Sequence, residues 1–154
     1  MNGIDKRGFT LLEMVCVIAL IAMIAAVLLP FLPRHTSRSR LQAYALEAAT
    51  LLKADRNIAI RRRADVSTLV DAPSRAIRSG VTSQIVRIPD DVRFDALLPK
   101  TCRQRAALST ISFFSDGMSC GGLIALSRLD RTYEIRVNWL TGRIEIVSRS
   151  TLAN

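Results

Sequence analysis

The chain has 154 residues, a formal net charge of +9 and a sequence pI near 10.7. Roughly 120 residues follow an apolar N-terminal stretch, which is enough for one domain with one modest core. The charge comes from 22 basic residues, of which three are lysines. It is compatible with a nucleic-acid or anionic-surface partner. Solvated arginines on an arginine-rich secreted domain also explain it, and we favour that interpretation.

Enzyme chemistry has little support in the sequence. The only histidine, His35, directly follows the apolar stretch, where no pocket is expected. One histidine and three scattered cysteines are too few for a zinc site. The pair Gly121-Gly122 lies between predicted strands and is interpreted as a turn rather than a phosphate-binding loop. We therefore expect a non-enzyme with no catalytic residue, cofactor or metal.

The N-terminal stretch is apolar from Phe9 to Leu32, 24 residues with a single charge, Glu13. As a helix it would cover roughly 36 Å, enough to cross the hydrocarbon core of a bilayer. The alternative is an ordinary signal peptide, whose apolar region is shorter and is followed by a small-residue cleavage site. We expect a retained membrane helix. A carboxylate in such a helix is costly and is therefore a functional candidate.

A second helical segment is predicted beyond the two prolines at positions 30 and 33. Apolar residues recur there with helical spacing, and polar residues fill the other positions. The apolar positions are Leu41, Tyr44, Ala45, Ala48, Leu51, Leu52 and Ile58. We expect one long helix from about Phe9 to about Arg61, interrupted near 30–34, whose second half packs on a domain. The cations at 61–63 would complement the negative end of its dipole.

Short strands are predicted after this helix. Residues 66–70 form a weak candidate and 83–88 a better one, whereas 95–107 has few strand signals and is predicted as a loop. The clearest β-region contains four segments separated by turns. These segments are 109–114, 123–127, 133–137 and 143–148. A helix followed by antiparallel strands is the order of an α+β fold.

The start of the chain resembles the class III leader of type IV pilins and type II secretion pseudopilins. The resemblance is carried by Lys6-Arg7-Gly8-Phe9-Thr10-Leu11-Leu12-Glu13 and by the apolar stretch that follows. It implies that a prepilin peptidase cuts between Gly8 and Phe9 and methylates the new N-terminus at Phe9. It also implies that Glu13, then the fifth residue, is an assembly residue that neutralises the terminal amine of a neighbouring subunit.

This resemblance implies a pilin-like α+β fold in three parts. Residues 1–8 would be the leader peptide, 9–33 the transmembrane and assembly helix, and 34–154 a periplasmic domain. The amphipathic half of the long helix, ending near residue 61, would pack on antiparallel β-sheets. The leader would lie in the cytoplasm, and a single span would hold the protein in the bacterial inner membrane.

The C-terminal part resembles the H group of type II secretion pseudopilins, which shares its domain with some type IV pilus minor pilins. The resemblance is carried by Phe-Phe-Ser-Asp-Gly at 113–117, by Gly121-Gly122 and by Val-Asn-Trp-Leu-Thr-Gly-Arg at 137–143. Residues 64–107 contain no recognisable motif of this group. The resemblance implies a structural minor pseudopilin near the tip of the pseudopilus, in contact with other pseudopilins. We expect Trp139 to be a core residue at the end of the sheet.

The three cysteines divide by location. Cys16 lies in the apolar stretch and is expected to behave as a small hydrophobic residue. Cys102 and Cys120 fall in the part that the resemblance places in the periplasm, an oxidising compartment. A disulfide between them would close a loop of about 19 residues. Two free buried thiols are the alternative, and the sequence leaves both open.

The alternative function is that of a minor type IV pilin that captures DNA or primes pilus assembly. The leader holds two cations and one carboxylate, so its loss would leave a side-chain charge of +8, which favours a DNA partner. The DNA-binding members of this group resemble one another in a Gly-Arg-x-Arg motif. Here Gly142-Arg143-Ile144-Glu145 has an acid in place of the second arginine. Nucleic acid is therefore the less favoured partner.

Overall fold

The structure is a computed structural model that describes residues 10–28 and 36–150. The predicted leader, its cleavage site at Gly8 and Phe9, and the predicted helix interruption at 30–34 lie outside the described residues. The chain divides into two compact units, Met1–His35 and Thr36–Asn154, which are described separately below.

The first unit contains helix α1, Leu11–Leu28, which has 18 residues. Between positions 11 and 26 every side chain is exposed except that of Ala25, which is half-buried. In the described part of the chain, no helix combines the length and the hydropathy that a membrane span requires. The membrane helix expected over 9–33 stays a prediction.

The second unit begins with helix α2, Arg38–Arg62, which has 25 residues. Ser37 caps its N-terminus, since the Ser37 hydroxyl accepts a hydrogen bond from the Arg40 amide at 3.3 Å. Arg63 ends it in the left-handed region at φ 50°. One face of the helix is buried, at Leu41, Ala45, Ala48, Ala49, Leu51, Leu52, Asp55 and Ala59. The predicted apolar stripe and the predicted helix end near residue 61 are confirmed.

Between α2 and residue 150 the structure describes ten strands, and all paired strands are antiparallel. They are β1 Val66–Asp71, β2 Ala76–Arg78, β3 Ile85–Arg87, β4 Arg93–Leu97, β5 Thr101–Cys102, β6 Arg105–Ala106, β7 Thr110–Phe113, β8 Gly122–Arg128, β9 Arg131–Val137 and β10 Ile144–Ser150. One sheet has the order β3-β2-β1-β7, a second has the order β10-β9-β8-β4, and β5 and β6 form a separate hairpin. The α+β class is confirmed.

Helix α2 packs on both four-stranded sheets, and its main neighbours are β9, β1 and β10. Strand periodicity places alternate residues under the helix, as in β1, where Val66, Thr68 and Val70 are buried. Side chains from both sheets complete the core. The largest fully buried ones are Leu41, Leu51, Leu52, Ile77, Ile111, Phe113, Ile124, Leu126 and Ile135.

The strand predictions are confirmed for β1, β3, β7, β8, β9 and β10. They are wrong for the predicted loop 95–107, since β4 runs to Leu97 and pairs with β8, and β5 and β6 lie within the same range. Three short strands, β2, β5 and β6, were not predicted. Each has only two or three residues, so period-2 alternation cannot reveal it.

Candidate functional site

The predicted assembly residue Glu13 lies in the first turn of α1, and its side chain is exposed. Thr10 caps this turn: the Glu13 amide lies 3.0 Å from the Thr10 carbonyl oxygen and 3.3 Å from the Thr10 hydroxyl. The Glu13 amide is therefore satisfied within its own chain. The negative charge of the Glu13 carboxylate suits the positive end of the helix dipole.

The two C-terminal motifs that carried the resemblance meet at one arginine of α2. Arg56 donates from Nε to the carbonyl oxygen of Gly117 at 3.2 Å and from Nη2 to that of Thr141 at 3.0 Å. Both acceptors lie in turns, the first after β7 and the second between β9 and β10. Arg56 thus fixes two turns to the helix.

Glycine is required at one of these turns. Gly142 has φ +63°, and a Cβ on it would lie 2.2 Å from the Gly117 carbonyl oxygen and 2.7 Å from Arg56 Nε. Any side chain at position 142 would separate the two turns and displace the Arg56 guanidinium. Gly142 therefore has a packing reason as well as a conformational one.

Asp55, the residue before Arg56 in α2, is a buried carboxylate that holds a third loop. Asp55 is 1% exposed and accepts hydrogen bonds from the hydroxyls of Thr68 and Ser79, both at 2.6 Å, and from the Gly80 amide at 2.9 Å. Three donors compensate the burial of the charge. Sequence analysis missed Asp55 and Arg56, because their partners are 13 to 85 residues away in the chain.

The start of α2 is clamped to the second sheet. The amide and hydroxyl of Thr36 donate to the carboxylate of Asp91 at 2.6 and 2.8 Å. Arg128 donates to the Thr36 carbonyl at 2.6 Å and lies 3.1 Å from the Asp91 carboxylate. Hydrogen bonds from the amide and then the hydroxyl of Thr36 lower the pKa of Asp91. The clamp holds the point where the chain enters the second unit.

The structure places the three cysteines in two different parts of the fold. Cys16 is exposed on α1. Cys102 and Cys120 are bonded as a disulfide in the structure, with 5.7 Å between their Cα atoms. The bond joins β5 to the segment between β7 and β8. It therefore ties the β5–β6 hairpin, which pairs with neither large sheet, to the body of the domain.

The prediction for Trp139 is wrong. Its side chain is 63% exposed rather than buried in the core. Strand β9 ends at Val137, so Trp139 lies in the following turn, where strand alternation no longer places a side chain under α2. Its Cβ lies against Gly121, where an added Cβ would be only 3.1 Å away. Glycine at position 121 leaves room for the Trp139 Cβ, and the indole lies outside the core.

Arg143 and Glu145, which occupy the two arginine positions of the Gly-Arg-x-Arg motif, form an ion pair. Arg143 Nε lies 2.8 Å from a carboxylate oxygen of Glu145, and both side chains are exposed. The Glu145 carboxylate therefore offsets the positive charge of Arg143. This pairing weakens any phosphate contact by Arg143.

Comparisons with known proteins place the chain in a family. Residues 5–29 match the family model described as the prokaryotic N-terminal methylation motif. The chain is 31% identical over 139 residues to the type II secretion system protein H of Xanthomonas campestris pv. campestris, covering 90% of this chain and 81% of the relative. The chain belongs to the type II secretion system protein H family.

Solved structures agree with this family at the level of the fold. The minor pseudopilin EpsH from the type 2 secretion system of Vibrio cholerae is similar with a TM-score of 0.55 and 11% identity, over 70% of this chain and 95% of that one. The type IV minor pilin FimU of Pseudomonas aeruginosa is similar with a TM-score of 0.52 and 17% identity, over 73% and 91%. This protein H homologue therefore has the pilin-like fold that its N-terminal residues implied.

Proposed function

We propose that this chain is a structural minor pseudopilin of the type II secretion system, assembled near the tip of the periplasmic pseudopilus to support protein export. Prepilin peptidase cuts after Gly8 and methylates Phe9. A single N-terminal span holds the subunit in the inner membrane, with the C-terminal domain in the periplasm. Its partners are the other pseudopilins, major and minor, and its role is structural rather than catalytic.

One observation carries the proposal: α1 is apolar, its side chains from 11 to 26 are exposed apart from Ala25, and Glu13 stands in its first turn. Apolar side chains that are left exposed favour association. Lipid before assembly and neighbouring subunits after it would cover these apolar side chains. The carboxylate then needs a cation, because an unpaired charge in an apolar setting is costly.

Cleavage creates that cation. The new amine at Phe9 lies four residues, about one helical turn, before Glu13 in the same chain. In a stack of subunits the Glu13 carboxylate neutralises the Phe9 amine of the neighbour. Pairing removes two desolvation penalties at once, which favours the assembled state over separate subunits in the membrane.

DNA capture by a minor type IV pilin is the second candidate, favoured by the net charge of +9. The arginine that the motif supplies, Arg143, is already paired with Glu145. Membership of the protein H family also favours secretion over DNA uptake.

Mass spectrometry of the protein extracted from membranes tests the processing step. The expected mature chain begins at methylated Phe9. A bulky residue in place of Gly8 should leave the precursor uncut, whereas the conservative change Thr10→Ser, two residues away, should leave cleavage intact. A mature chain that begins beyond Ala22 would show that the segment is a signal peptide and would contradict the proposal.

A further inference from the structure

The turn between β9 and β10, residues 138–142, presents two exposed apolar side chains on a fixed backbone; we name it the Trp139 loop. Trp139 is 63% exposed and Leu140 is 54% exposed. Trp139 is also the only tryptophan of the chain. An indole offers roughly 150–250 Å² of surface for burial, so leaving it in water forgoes a large stabilising contribution.

The backbone of the Trp139 loop is held from several sides. The Asn138 side-chain oxygen accepts hydrogen bonds from the amides of Leu140 and Thr141, both at 2.9 Å. The Gly142 amide donates to the Asn138 carbonyl at 2.9 Å. The Ser119 amide donates to the Trp139 carbonyl at 3.0 Å, and Arg56 holds Thr141. A partner that binds this loop has little conformational entropy to remove.

The surface around the loop is positively charged. Two depressions adjoin it, one against α2 and one against β9, and they share Thr141, Arg143 and Glu145. Four cations line them, Lys53, Arg56, Arg136 and Arg143, against one carboxylate, Glu145. Glu134, which is mostly buried and pairs with Arg136, offsets one more cation. In the depression that Trp139 lines, Glu134 and Glu145 balance Arg136 and Arg143. Among the described residues, the excess of cations comes from Lys53 and Arg56 in the depression against α2.

We propose that the Trp139 loop is a docking surface for an acidic neighbouring subunit. The Trp139 indole enters an apolar pocket of that subunit, and Lys53 faces carboxylates around it. Tryptophan at the centre of a polar rim is the residue type most enriched where binding energy concentrates. A second copy of this chain is a poor occupant, since it would bring the same excess of cations.

This inference rests on the proposed function, because the neighbouring subunit is another pseudopilin. The single tryptophan supplies the measurement. The full-length protein in detergent, labelled with 5-fluorotryptophan, gives one fluorine resonance that reports on position 139. Each other pseudopilin of the same secretion system is purified in the same detergent, unlabelled, and added in turn. We expect one of them to shift this resonance and to protect the indole from acrylamide quenching.

Variants locate the contact, with affinity measured by calorimetry. Trp139→Ala should weaken binding by about thirty-fold or more. Lys53→Glu should weaken it by about tenfold, and the loss should shrink as salt is raised. The matched controls are Leu129→Ala, an 81% exposed leucine at the opposite end of β9, and Arg87→Glu on the other sheet. Both should bind like the wild type, and thermal unfolding checks that every variant folds.

The outcomes separate the inference from the proposed function. If a pseudopilin binds while the resonance stays unchanged and Trp139→Ala binds normally, the docking surface is wrong and the proposed function stands. If no pseudopilin binds the wild type, both fail. A single-stranded DNA of about 20 nucleotides serves as the other probe. Submicromolar DNA binding at physiological salt, lost in Trp139→Ala, would overturn the inference in favour of a nucleic-acid partner.

Discussion

The two helices of this chain differ in what covers their apolar side chains. Helix α1 exposes its side chains from 11 to 26, apart from Ala25, whereas α2 buries one continuous stripe against two sheets of its own domain. An apolar surface that its own chain covers contributes to folding. An apolar surface that the chain leaves exposed contributes to association with other molecules. Changes in α2 and its contacts should therefore appear in stability, and changes in α1 should appear in assembly.

The largest effect on stability is expected from Gly142→Ala. The new Cβ would lie 2.2 Å from the Gly117 carbonyl oxygen at a positive φ, and Arg56 would lose its place between the turns. We expect a loss of more than about 3 kcal/mol in the free energy of unfolding. Processing at Gly8 should be unaffected.

Chemical denaturation followed by circular dichroism measures this loss. Thr141→Ser is the matched control, since serine keeps the carbonyl that binds Arg56 and the hydroxyl that accepts from the Arg143 amide at 3.3 Å. A Gly142→Ala protein as stable as the control would contradict the role of the two turns.

A smaller effect is expected from the disulfide. Replacing Cys102 and Cys120 together by serine should lower the free energy of unfolding by about 3 kcal/mol, the chain-entropy value for a loop of this length. Cys16→Ser, on the exposed surface of α1, is the control and should leave domain stability unchanged. Mass analysis of the periplasmic protein before and after reduction counts the thiols. Two free thiols at 102 and 120 in the unreduced protein would contradict the bond.

The smallest effect concerns pH. Hydrogen bonds from Thr36 lower the pKa of Asp91 below 3.8, so the carboxylate is favoured in the folded state. The resulting stabilisation is complete above the unfolded pKa and is lost as pH falls through the lower, folded pKa. Asp91→Asn should therefore reduce the difference in thermal stability between pH 7 and pH 3. Asp65→Asn, at an exposed aspartate, should preserve that difference, and equal pH profiles for Asp91→Asn and the wild type would exclude the clamp.

Local patterns predicted most of the fold. The spacing of Leu41, Ala45, Ala48 and Leu52 predicted the buried stripe of α2, and segments bounded by turns predicted the last three strands. These signals lie within a few residues of chain, so a sequence displays them directly.

The parts that were missed depend on distant partners. In the sequence, Asp55 and Arg56 look like the charged residues of any solvent-exposed helix turn. Their partners Ser79 and Thr141 come close only in the folded chain. Trp139 was expected to be a core residue at the end of the sheet. Trp139 is exposed because β9 ends at Val137 and the turn begins with the next residue. Sequence patterns locate such strand ends poorly.

The central claim is that α1 acts in assembly through Glu13, and site-specific crosslinking in cells tests it. Glu13→Ala should leave insertion, processing and domain folding unchanged, because the segment only becomes more apolar. Crosslinks to the other pseudopilins and protein export should both fall sharply, since the neighbour's Phe9 amine loses its counter-charge. Val15→Ala, an apolar change nearby on α1, should retain both. Wild-type levels of crosslinking and export in Glu13→Ala would contradict the account.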